Sequence, residues 1–155
     1  MTRFEQEIRE QPAALAQLLR AGHAAVGDAA AAVRAFQPRF VVTAARGSSD
    51  NAARYAKYLF GARNRLVVSL GAPSLVTLYG TPPSLSGALV VGISQSGESP
   101  DIVALVEEGR RQGALTLALC NKPDSPLARA AAHVIDLHAG PEESVADQAC
   151  CTAQA

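Results

Sequence analysis

Six residues, Ser94-Gln95-Ser96-Gly97-Glu98-Ser99, constrain the fold of this 155-residue chain more than any other stretch. The apolar run Ala88–Ile93 stops at this loop, and Ser99-Pro100 follows it. Serine is a favoured N-cap, and proline fits the first helical position because its missing N–H would be unpaired there. The segment therefore reads as strand, Ser-rich loop, helix N-terminus. Such a junction gathers backbone N–H groups, hydroxyls and the positive end of a helix dipole at one point, which suits a phosphate or another anion. Neither G-x-G-x-x-G nor G-x-x-x-x-G-K-[ST] occurs, so the usual dinucleotide and P-loop readings fail.

Around this junction strands and helices alternate. The expected strands are Phe40–Ala44, Leu66–Val68, Ala88–Ile93, Leu115–Cys120 and Val134–Leu137. The expected helices are Asp50–Phe60, Pro73–Tyr79, Pro100–Gln112 and a short one near residue 131. Continuous apolar strands separated by helices predict an α/β fold, a three-layer α-β-α sandwich around a five-stranded parallel sheet. In the order 2-1-3-4-5 the first and third strands are neighbours at the switch point, where ligands bind at the carboxyl ends of strands. A second loop of small residues, Arg46-Gly47-Ser48-Ser49, follows the first strand. The two loops then face each other and make one site from two motifs.

The candidate binding residues are Gly47, Ser48, Ser49, Ser94, Gln95, Ser96 and Ser99. The second loop has no Lys or Arg, so the expected site is built from hydroxyls and helix dipoles. It suits a monoester phosphate on a small polar molecule. Each loop alone also reads as an ordinary turn; their pairing at a switch point is what favours a site. Before Pro38 the chain is rich in Ala, Leu, Glu, Gln and Arg and predicts an N-terminal helical hairpin over 1–37. Pro12 is expected to interrupt or restart its first helix, and Gly22 and Gly27 to punctuate the second.

Fourteen basic and fourteen acidic residues cancel, and aromatics make up 5% with no Trp. A basic face and a base-stacking platform are both missing, so no nucleic-acid partner is expected. No apolar run reaches the roughly 18 to 20 residues that span a bilayer. The stretch Met1–Glu7 is too charged for a secretory signal. Cys120, Cys150 and Cys151 lack metal-ligand spacing. The expectation is a cytoplasmic protein with no metal, no cofactor and no membrane contact. Cys120 reads as a small core residue, and Asp136 as lying at the edge or the end of its strand. His138, at the carboxyl end of the fifth strand, is a secondary candidate for a ligand contact.

Three segments in order carry a resemblance. Glu7-Ile8-Arg9-Glu10-Gln11-Pro12 is similar to an E-I-x-E-Q-P entry segment, Ser94–Ser99 to an S-Q-S-G-E-[ST] loop, and Ala139–Ala146 to the start of A-G-x-E-x-x-V-A. Together they resemble the sugar isomerase (SIS) domain family. More narrowly, they resemble the first of two such domains in glucosamine-6-phosphate synthase and in aminosugar-phosphate deaminases and isomerases without a glutaminase domain. The resemblance implies that Ser49, Ser94, Ser96 and Ser99 hold a sugar phosphate, with Gln95 beside them. It places Gly47 and Ser48 on the sugar side and Glu98 in orienting the loop. Arg46 stands where the synthases have Cys.

Only six residues precede Glu7, so a glutaminase domain is expected to be absent. After Ala146 the pattern breaks, and Asp147–Ala155 reads as a divergent tail. A one-base insertion turning Thr-Lys into Asp147-Gln148 is one expected origin; a natural single-domain protein is the other. The family's ring-opening and proton-transfer residues belong to a second domain, so no catalytic residue is assigned. The expected function is binding of a phosphorylated sugar or aminosugar by residues 38–146, as a homodimer if the resemblance extends to assembly. The alternatives are a non-catalytic sugar-phosphate sensor and a remnant without function.

Overall fold

The computed structural model describes residues 3–140. The strands are β1 (Phe40–Ala45), β2 (Val67–Leu70), β3 (Ala88–Ile93), β4 (Leu115–Cys120) and β5 (His133–Asp136). The helices are α1 (Arg3–Ala21), α2 (His23–Phe36), α3 (Ser49–Asn64), α4 (Ser74–Thr77), α5 (Pro100–Arg111) and α6 (Pro126–Ala130). All strand pairs are parallel, in the order β2-β1-β3-β4-β5 predicted from the sequence.

Side chains alternate between the two faces of the sheet, as the pleat requires. One face, with Val42, Ala44, Ala88, Val90, Ala118 and Cys120, packs against Ile102, Leu105 and Val106 of α5 and Leu127 of α6. The other, with Val41, Leu89, Val91 and Ile93, packs against Ala52 and Ala53 of α3, with Val33 of α2 at its margin. In α5 the buried residues Ile102, Leu105, Val106 and Gly109 recur at helical spacing. Two glycines let α5 lie close to the sheet: a Cβ on Gly109 would sit 2.8 Å from Val90 Cγ2, and one on Gly92 would sit 2.8 Å from Val106 Cγ2.

The N-terminal helices meet at Gly22 with no intervening loop, and backbone bonds from Gly22 to Leu18 and from Val26 to Gly22 run across the junction. Pro12 does not break α1, nor Gly27 α2. Pro12 is exposed, so the Ile8 carbonyl that loses its donor is open to solvent. The short helix lies earlier than expected, at Pro126–Ala130. α4 is a single turn rather than a run to Tyr79. The segment after Gly140, including Pro141–Ala146 and the divergent tail, lies outside the described residues. No helix among the described residues is long and apolar enough to cross a membrane.

At the far end of α5, Gln112 ties the approach to β3 onto the helix. Its Oε1 accepts from Leu85 N at 2.7 Å, and its Nε2 donates to Pro83 O at 3.0 Å and to Glu108 Oε1 at 2.6 Å. Arg111 donates to both oxygens of Glu108, at 2.8 and 2.6 Å. Hydrogen bonds from Arg111 and then Gln112 hold the Glu108 carboxyl below its ordinary pKa. A depressed carboxylate pKa contributes stability above the unfolded value, and that stability is lost as pH falls through the folded one. Arg111 is 70% exposed, so solvent screens the pair. Glu108→Gln should therefore lower Tm at pH 7 by only about 2 °C. It should also flatten the acid limb of the Tm–pH curve below about pH 5. Thermal unfolding of both proteins across that range checks this; an unchanged acid limb would assign the acid sensitivity to other groups.

Candidate functional site

The register pairs Ala45 of β1 with Ile93 of β3, so the two strands end level and their loops emerge side by side. The β3–α5 loop is seated from the β4 side at four positions. Ser94 N donates to Leu119 O (3.1 Å), Asn121 N to Gln95 O (3.0 Å) and Leu127 N to Gly97 O (3.0 Å). Lys122 Nζ meets Glu98 Oε1 at 3.0 Å. Inside the loop, Ser94 Oγ accepts from Gly97 N at 3.2 Å and Ser96 Oγ from Glu98 N at 3.3 Å. Gly97 has φ +64°, the left-handed region where glycine is favoured. A Cβ there would lie 2.1 Å from Ser125 Oγ.

Ser99 stands at the N-cap of α5 with Pro100 following, but its hydroxyl caps nothing. Its carbonyl accepts from Val103 N, while its Oγ lies 3.5 Å from Ser94 Oγ. The amides of Gln95, Ser96 and Ser99 have no backbone acceptor among the described residues. The result is a half-buried cluster of hydroxyls and amides at the positive end of a 12-residue helix.

The β1–α3 loop is arranged differently. Gly47 has φ +58°, and the Gly47 and Ser48 carbonyls accept from Asp50 N and Asn51 N. Ser49 is the first residue of α3 and is buried, whereas Gly47 and Ser48 are exposed. No hydrogen bond joins Ser48 or Ser49 to the second loop among the described residues. An ion pair links the β1–α3 loop to the first turn of α5: Arg46 Nη1 meets Asp101 Oδ2 at 2.9 Å.

The structure thus gathers Ser94, Gln95, Ser96 and Ser99 in one loop and sets Gly47, Ser48 and Ser49 beside it. It also adds residues that the sequence reading passed over. Asn121 and Lys122, after β4, support the β3–α5 loop. Ser125 Oγ accepts from Ala128 N at 3.3 Å and caps α6 beneath Gly97. The Asn121 side chain also donates to Gly140 O (2.7 Å) and accepts from Ala139 N (2.8 Å), which fastens the chain after β5. Two signals pointed there: Ser125-Pro126 repeats the Ser99-Pro100 helix start, and the order 2-1-3-4-5 makes β4 a neighbour of β3.

Neither secondary candidate bonds the Ser94–Ser99 loop directly among the described residues, although Cys120 Sγ accepts from Ser125 Oγ at 3.7 Å. His138 has φ +51° and pairs with Asp136 at 3.3 Å, beyond the end of edge strand β5. The residues that follow it, Ala139 and Gly140, bond the Asn121 side chain. Cys120 is fully buried, and burial pushes its thiol pKa up. It donates to Lys122 O at 3.4 Å and behaves as a core residue. No group of three or more His, Cys, Asp or Glu side chains placed to hold a metal occurs among the described residues.

A parallel α/β domain with a cluster of hydroxyls and backbone amides at its switch point is the class that this geometry defines. The SIS domain family model matches residues 36–154, and the chain belongs to that family. It is 33% identical over 157 residues to the isomerizing glutamine–fructose-6-phosphate aminotransferase of Zymomonas mobilis, covering 97% of this chain and 25% of the relative. A solved structure of a proposed phosphosugar isomerase from Silicibacter pomeroyi DSS-3 is 44% identical, with a TM-score of 0.96, over 99% of this chain and 47% of that one. The C-terminal domain of glucosamine-fructose-6-phosphate aminotransferase from Francisella tularensis is 28% identical, with a TM-score of 0.82, over 97% of this chain and 43% of that one. The chain thus spans a quarter of that aminotransferase and under half of these solved structures.

Proposed function

We propose that this chain binds a phosphorylated sugar or aminosugar, with the phosphate held at the head of α5 and the sugar toward the β1–α3 loop. One observation carries the reading. The Ser94 and Ser99 hydroxyls converge to 3.5 Å at a helix N-terminus, in a loop that neighbouring elements hold in place. Ser94, Ser96 and Ser99 donate hydroxyl hydrogens to phosphate oxygens, and the Gln95 and Ser96 amides add to them. Gln95 and Ser49 border the phosphate, and Gly47 and Ser48 face the sugar. The kinship to aminotransferases and to a proposed phosphosugar isomerase supports a sugar phosphate over other anions. The Glu7–Pro12 segment, within α1, favours the first of two sugar isomerase domains of an aminosugar-phosphate isomerase or deaminase. No residue of this chain is assigned a catalytic role.

Calorimetric titration tests the reading. Glucosamine 6-phosphate or fructose 6-phosphate should bind, and glucosamine and fructose should not. Ser99→Ala removes one donor whose only hydrogen-bond contact among the described residues is Ser94 Oγ. It should weaken binding about tenfold or more, the worth of one hydrogen bond to a charged group, with Tm nearly unchanged. Equal binding of phosphorylated and unphosphorylated sugars would sink the proposal.

A further inference from the structure

The segment proposed to hold an anion, residues 94–103, contains no Lys or Arg and two carboxylates, Glu98 and Asp101. That composition opposes its function. At an effective dielectric constant near 20, two like unit charges about 7 Å apart cost between one and two orders of magnitude in affinity for each unit of phosphate charge, before salt screening.

The structure supplies a cation to each carboxylate from a different element. Lys122 reaches Glu98, but both are more than half exposed, so water already screens that charge. Asp101 is different. It lies in the first turn of α5, its side chain is 21% exposed, and its Oδ1 is buried with no hydrogen-bond partner. This carboxylate is less exposed than Glu98, although Arg46 itself is 70% exposed and solvent screens part of the pair. Its Oδ2 meets Arg46 Nη1, from the loop after β1, at 2.9 Å. Asp101 favours the start of α5 through the helix dipole, which accounts for an acid at this position. The same charge stands two residues past Ser99, at the head of the helix proposed to hold the phosphate, and Arg46 is its ion-pair partner.

We propose that Arg46 is a positioning residue that neutralises Asp101, so that the head of α5 can accept the dianionic phosphate of a sugar phosphate. Arg46 acts through Asp101 and makes no contact with the phosphate. The inference rests on the phosphate reading above and explains why a loop without its own cation binds an anion. It also ties the β1–α3 loop to α5, since this ion pair is the direct bond between the two halves of the crevice among the described residues.

A double-mutant cycle on the full chain tests it, with glucosamine 6-phosphate as the probe in calorimetry and thermal unfolding as the check that each variant folds. Arg46→Ala should weaken binding about tenfold or more, and the loss should shrink as salt rises from about 0.05 to about 0.5 M. Asp101→Asn should bind as tightly as the native chain or tighter. Arg46→Ala combined with Asp101→Asn should return to within about threefold of Asp101→Asn alone, because the two sites are coupled. If Arg46→Ala fails to fold, Arg46→Gln takes its place in the same cycle. Should Asp101→Asn fail to rescue the Arg46 variant, or should the Arg46 variant bind normally, this inference is overturned and the phosphate reading stands. A native chain that binds no sugar phosphate overturns both.

Discussion

Gly97→Ala is expected to unseat the β3–α5 loop and to lower stability by about 3 kcal/mol. Two costs add. The residue holds φ +64°, where a Cβ is strained by about 1–2 kcal/mol. The added methyl would also lie 2.1 Å from Ser125 Oγ and 2.6 Å from Ser125 Cβ, so Ser125 must move. Ser125 is the N-cap of α6, and moving it gives up the bond from Ala128 N. Relieving an overlap of this size in a packed interior costs about 1–3 kcal/mol. Tm should fall by about 6–12 °C, and binding of glucosamine 6-phosphate should be lost with the loop geometry. Adding Ser125→Gly removes the overlap but not the backbone strain, so about half the stability should return. Full recovery in the double variant would show that strain at φ +64° contributes little. No recovery would show that the overlap does not matter.

The second large effect is expected at Leu127, which is fully buried in the cluster between the sheet, α5 and α6. It fills the space below the loop. A Cβ on Gly92 would lie 2.8 Å from Leu127 Cδ1, and one on Gly97 would lie 3.5 Å from Leu127 Cβ. Leu127→Ala keeps the backbone bond from Leu127 N to Gly97 O but empties the volume beneath it. The loss should be about 3 kcal/mol, within the range for burying a cavity of leucine size. A compensating change follows from the same geometry. Gly92→Ala should be strongly destabilising in the native background, where its methyl meets both Leu127 and Val106. In the Leu127→Ala background it should cost less, because one of the two obstructing side chains is gone. Chemical denaturation of the four proteins measures the coupling. Strictly additive losses would mean that Leu127 does not crowd Gly92.

The central strands were legible because apolar runs and their punctuation coincide. Ala88–Ile93 and Leu115–Cys120 begin soon after Gly87 and Gly113, where the turns are made, and the structure reproduces both ranges. Edge strands were harder, because pairing there is not marked by burial. Val67 of β2 is 74% exposed yet pairs with Phe40, and β5 opens on His133 opposite Leu117. The Ser94–Ser99 loop was legible from residue types alone, since hydroxyls and glycine before a Ser-Pro helix start are its chemistry. What holds that loop was not. Leu119, Asn121 and Leu127 act through backbone N–H and C=O groups, which do not depend on residue type apart from proline. The Arg46–Asp101 pair joins residues 55 apart in sequence, and only the finished fold brings them together.

The uneven support of the two loops has a mechanical consequence. The β3–α5 loop is bolted to β4 and α6 by three backbone bonds and an ion pair, whereas the β1–α3 loop reaches it through one exposed arginine. The crevice is therefore a vice with one fixed jaw. Opening it on the β4 side requires breaking hydrogen bonds that hold the sheet's own edge of the cradle. Opening it on the β1 side requires releasing a single guanidinium. On the binding proposed above, the phosphate end of a sugar phosphate would sit against the fixed jaw, and the jaw at Gly47 and Ser48 would set the gap left for the sugar.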